Sequence, residues 1–75
     1  MTAVAIDPAR LRAVRESRDL RRETVAEAVG ISHAAVVAYE RGVSDPSARV
    51  LVALARFFGV AVEELCRDET PAGAR

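Results

Sequence analysis

The chain has 75 residues, enough for one domain with a small core and too few for two. Hydrophobic residues make up 51% and charged residues 29%, an ordinary soluble composition with no apolar run long enough to span a bilayer. Eleven basic and eleven acidic residues cancel to a formal net charge of zero, which on its own argues against a strongly nucleic-acid-binding or acid-binding surface.

Charge distribution changes that picture. Arg10, Arg12, Arg15, Arg18, Arg21 and Arg22 crowd the first third of the chain against Glu16 and Asp19, while Glu63, Glu64, Asp68 and Glu69 make the end acidic. Cys66 is the only cysteine and His33 the only histidine, so an intrachain disulfide is excluded and a metal site or His-centred catalytic cluster within one chain is not expected. The start, MTAVAIDPAR, lacks the basic region of a secretory signal, and a cytoplasmic location is expected.

Asp7-Pro8 opens the first helix, with Asp as cap and Pro at the first helical position, and Leu11 and Val14 face inward at i and i+3. This helix is predicted to run to about Arg18, with a break at Asp19-Leu20. A second helix fits Arg22 to Val29, its inner face made by Val25, Ala26 and Val29, and its start has no Ser, Thr or Asn cap at Arg21. Gly30 ends it and Ser32 caps a third helix, His33 to about Arg41, which Gly42 closes. After the VSDPS loop, Ser47 caps a fourth helix ending at Phe58, with Val50, Leu51, Leu54, Ala55 and Phe58 on one stripe. Gly59-Val60 stops it, and AVEELC reads as a short fifth helix. No strand pattern competes. Residues 1–66 are expected to form the domain, and 67–75, RDETPAGAR, a polar disordered tail.

Two helices joined by a tight turn are the ingredients of a helix-turn-helix. Ala26 is small where the two helices must cross, Gly30 turns the chain four residues later, and Val36 and Tyr39 supply the inner face of the third helix.

The stretch from Leu11 to Leu65 resembles the Cro/repressor-type (XRE-type) helix-turn-helix domain, whose pattern runs LAELxGIS…I…xERGxxxPS…LxxLAxxFGVxxxEL. The pieces ERG, PS and LARFFGV follow the Ala–Gly–Val spacing in the family's order, and the match covers residues 10–66. The resemblance implies an all-α, compact, five-helix, lambda-repressor-like fold with the helix-turn-helix at helices 2 and 3. It implies a partner, double-stranded DNA, bound by a homodimer on a palindromic operator to regulate transcription, with no cofactor and no membrane. Carried over residue by residue, it implies base contacts from His33, Ala34, Val37 and Ala38, and phosphate contacts from Arg21, Arg22, Ser32 and Arg41. Arg15 and Glu40 match positions that form an ion pair between the first and third helices. Phe57, with Val60 and Cys66, is a candidate dimer surface.

The chain departs from that pattern in two places. Arg21 stands where a Ser or Thr is usual, and Ala34, Ala35 and Ala38 stand where polar readers are usual. Ala and Val can still pack on thymine methyls, so shape and deformability would carry more of the recognition. The same apolar face suits a rival reading, an antitoxin-like or adaptor module that docks a protein through helix 3 or the Phe57 surface. An enzyme is not expected: no nucleophile–base pair or phosphate-cradling glycine loop is present, and the adjacent Glu63 and Glu64 would point apart on a helix.

Overall fold

Side-chain caps and left-handed residues set the helix ends in the computed structural model, which describes residues 3–69. Four helices follow one another: α1 (Pro8–Ser17), α2 (Arg22–Val29), α3 (His33–Glu40) and α4 (Ala48–Phe58). Asp7 accepts from the Ala9 N–H at 3.0 Å, Ser32 Oγ from Ala35 at 3.0 Å and Ser47 Oγ from Val50 at 3.2 Å, so three helix starts have a side-chain cap. The fourth, at Arg21, has none.

Between α1 and α2 the chain turns at Asp19, the one described non-glycine residue with positive φ (55°), a conformation that Asp tolerates. Gly30 takes φ 81° in the turn between α2 and α3, and its N–H and that of Ile31 both donate to the Ala26 carbonyl, at 2.9 and 3.0 Å. A residue with a Cβ would be strained there, although no neighbour would block it.

The core is built from one to three residues per element. Leu11 of α1, Val25 and Ala26 of α2, Val36 of α3, and Leu54, Ala55 and Phe58 of α4 are buried together, with Leu65 and Ile6 closing the far side. Val14, Leu20, Ile31, Tyr39 and Leu51 pack against them partly buried.

The helical core has the order expected from the sequence; the ends differ. VEEL (Val62–Leu65) is a single turn of 3-10 helix, capped where Glu64 reaches back to the Ala61 N–H at 2.9 Å. Two strands that the sequence reading did not anticipate, β1 (Ala3–Ile6) and β2 (Cys66–Glu69), pair antiparallel with Ile6 opposite Cys66 and Ala3 opposite Glu69. Residues 67–69, expected in the tail, therefore belong to the folded unit; residues 70–75 lie outside the described residues. The ribbon delivers Ile6 into the core, and the Asp7 N–H donates to the Leu65 carbonyl at 2.8 Å, which fixes where α1 begins.

Candidate nucleic-acid interface

Helix α3 has two faces of different kind. Val36 and Glu40, four residues apart, point into the protein, with Tyr39 beside them. His33, Ala34, Val37, Ala38 and Arg41 follow at helical spacing on the other side. His33, Ala34 and Arg41 are exposed; Val37 and Ala38 are half-buried. The four positions expected to meet bases thus share one outward stripe, rooted by Val36 and capped at its exposed start by Ser32.

The inner end of α3 is held by charge. Glu40 has a side chain 2% exposed, and its Oε2 accepts from Arg15 Nε at 2.6 Å while Oε1 accepts from Arg15 Nη2 at 3.1 Å. Arg15 also donates through Nη1 to the Leu20 carbonyl at 2.8 Å, so all three of its nitrogens are satisfied. The Glu40 hydrogen bonds raise the Arg15 pKa above its already high ordinary value, against a smaller opposing cost of burial. Among the described residues no buried side-chain polar atom is left without a partner.

The early arginine cluster divides by partner. Arg10 donates to the Cys66 carbonyl at 2.6 Å and lies 3.6 Å from Asp7; Arg12 pairs with Glu16 at 3.1 Å. Arg18 donates to the Phe58 carbonyl at 2.9 Å, with its guanidinium 5.7 Å from the centroid of the Phe58 ring. Arg12–Glu16 is a local, exposed i,i+4 pair; Arg10 and Arg18 make long-range structural ties, which cannot be read from the local sequence. Arg22, expected on phosphate, donates through Nε to Glu40 Oε1 at 3.0 Å. Of the six, only the Arg21 side chain makes no hydrogen bond or ion pair within the described residues, and the Arg41 side chain is equally free.

Sequence reasoning missed two contributors. Glu23, on the first turn of α2, lies near His33, Arg21 and Arg22; its carboxyl is held below its ordinary range chiefly by its own backbone N–H, with these neighbours adding to the effect. Its place two residues after the uncapped Arg21 was the available signal. Arg49, exposed on the first turn of α4, is a further cation without a partner among the described residues.

Of the candidate dimer surface, Phe57 is 39% exposed and Val60 half-buried, but Cys66 is buried against the core and its pKa is pushed up by that burial. Cys66 is therefore removed from that surface. Phe57 instead lines an open apolar groove of about 700 Å³ with Val52, Ala53 and Ala28, flanked by Arg49 and Arg56. Among the described residues there is no cluster of His, Cys, Asp and Glu fit to hold a metal ion, and no helix long and apolar enough to cross a membrane.

A family model described as Helix-turn-helix matches residues 11–65. The transcriptional repressor RstR of the cryptic phage CTXphi of Vibrio cholerae is 37% identical over 59 residues, 79% of this chain; the chain spans about half (53%) of that relative's length. The restriction-modification controller protein C.AhdI from Aeromonas hydrophila superposes with a TM-score of 0.74 at 31% identity, over 77% of this chain and 88% of that one. The P22 c2 repressor, solved in complex with a synthetic operator, superposes with a TM-score of 0.75 at 28% identity, over the same shares.

Proposed function

The chain belongs to the XRE-type helix-turn-helix family, and on that premise we propose that it is a sequence-specific DNA-binding transcriptional regulator, a repressor-like homodimer on a palindromic operator. The observation that carries this reading is the outward stripe of α3, His33, Ala34, Val37, Ala38 and Arg41, set against a buried root of Val36 and Glu40. A core helix would bury both faces; this one leaves a stripe free, with the unpaired Arg41 side chain at its end and the unpaired Arg21 side chain at the start of α2. Arg21, Arg22, Arg41 and Ser32 take phosphates and set register, while the stripe packs on base edges. With one polar reader, His33, most base discrimination comes from thymine methyl contacts and DNA shape. A two-fold dimer would present two α3 helices about 34 Å apart, one turn of DNA. Its site of action is the cytoplasm, where the DNA is.

Named relatives support the repressor part: RstR and P22 c2 are repressors, and P22 c2 was solved on operator DNA. The test is fluorescence anisotropy with labelled DNA from upstream of the protein's own gene, over a range of salt. Four phosphate contacts per subunit give a slope of log affinity against log salt near about −7 for a dimer. Ala38→Glu and Arg21→Ala should both weaken binding, Ala38→Glu with loss of preference over random DNA. A slope near zero would remove the electrostatic basis of the proposal.

A second reading has its own observation. Phe57 and Val52 are about two-fifths exposed along the apolar groove, and Arg49 and Arg56 flank it. This is the surface an adaptor or antitoxin-like module would use, and it lies outside the α3 stripe. The α3 stripe does not need that surface, so the reading stands second.

A further inference from the structure

Three helices meet on one carboxylate. Glu40, the last residue of α3, receives Arg15 from α1 through Nε and Nη2, and Arg22, the first residue of α2, through Nε at 3.0 Å. Arg15 alone already engages both carboxylate oxygens as a fork and is almost fully buried. The third member is different. Arg22 has a side chain 39% exposed, and a partly exposed ion pair adds little to stability. Its Nε is taken while Nη1 and Nη2 have no partner among the described residues. Glu16 lies 3.8 Å from Arg15 on its outer side, so Arg15 is fully answered by carboxylates, and the open donor edge of the group is the one on Arg22.

We propose that Glu40 is a positioning residue for the DNA backbone: it fixes Arg22 through Nε so that the Nη1–Nη2 edge is presented to a phosphate at the start of α2. The proposal rests on the DNA-binding reading above. A guanidinium held on one edge can still grip a phosphate with two parallel N–H bonds on another, which an ammonium cannot do. The phosphate supplies the acceptors that the open Nη1–Nη2 edge lacks. Because Glu40 ends α3, the same carboxylate ties the base-facing helix to the backbone contact, so register and reading are set by one rigid unit.

The test uses the whole chain, a mixed-sequence DNA duplex and a salt titration, with folding followed by thermal melts. Arg22→Lys keeps the charge but, with its shorter, single-nitrogen head drawn to Glu40, offers no planar two-bond edge to a phosphate. It should lower the magnitude of the salt slope by about 0.9 per subunit, the value of one lost phosphate contact. Glu40→Gln removes a negative charge from beside the DNA, so simple attraction predicts tighter binding; the proposal predicts weaker binding and the same loss of slope. Should Glu40→Gln not fold, Arg22→Lys decides alone, since its site is partly exposed and outside the core. Wild-type slope in Arg22→Lys, or tighter binding by folded Glu40→Gln, overturns the proposal and leaves the DNA reading standing. Absence of salt-dependent binding by the wild type overturns both.

Discussion

Arg15 Nε donates to Glu40 Oε2 at 2.6 Å across 25 residues of chain, and this contact sets the angle of α3 against α1. The pair is buried, so its value lies in what its loss would strand. Arg15→Ala leaves the Glu40 carboxylate with Arg22 as its remaining cation partner, and should cost about 3 kcal/mol, the low end for breaking a buried pair. Urea unfolding monitored by circular dichroism measures this. The double replacement Arg15→Met with Glu40→Leu should recover part of the loss, because no charge is then left buried. Equal losses in the single and double variants would refute the argument.

Much of this arrangement was legible in the sequence, and the division has physical causes. The α2–turn–α3 unit could be read because its determinants are local: the hydrogen bonds of Ala26, Gly30 and Ser32 reach no further than five residues. The ribbon of β1 and β2 could not, since four-residue strands show no clear alternation and Ile6 meets Cys66 sixty residues later. The arginines were opaque for the same reason. Nothing near Arg10 or Arg18 reveals that each is spent on a carbonyl 56 or 40 residues away. Position 22 was read as a phosphate contact from resemblance, and its bond to Glu40 became visible only once α2 and α3 were placed together.

Ala26 is 4% exposed where α2 crosses α3, and its carbonyl accepts from both Gly30 and Ile31. Ala26→Leu adds three carbons at a site with no room, which should cost about 1–3 kcal/mol. The strain falls on the spacing of the two helices, so DNA affinity should drop further than the folded fraction does. Thermal melts and anisotropy on the same preparation separate the two effects. Unchanged affinity in the folded fraction would show that the crossing does not set the reading angle.

Burial pushes the Cys66 thiol up, with Glu63 adding to the effect and Arg10 opposing it. The folded state thus holds the proton longer than the unfolded chain does. Stability from this source is complete below the ordinary thiol pKa and is lost as pH rises through the higher folded value. Unfolding midpoints should therefore decline on the alkaline side, and Cys66→Ala should flatten that decline. At neutral pH the native protein should react with a thiol reagent only as fast as it opens. Rapid labelling under native conditions would contradict the burial argument.

With Cys66 buried, the dimer surface proposed for this chain reduces to Phe57 and Val60 at the end of α4. The Phe57 ring leans on Phe58, centroids 5.2 Å apart, so the exposed ring is braced by a core residue. Phe57→Glu puts a charge on the exposed ring's position at the loss of its contact with Phe58, and folding stability should change by about 1 kcal/mol at most. Sedimentation should then show monomer at concentrations where wild type is dimeric. Affinity for a palindrome should fall steeply, since the two halves no longer bind as one unit, while affinity for a single half-site stays as in wild type. If Phe57→Glu remains dimeric, the two-fold contact lies elsewhere on the chain. Monomer in both proteins, with intact DNA binding, would leave the groove beside Phe57 free for the adaptor role.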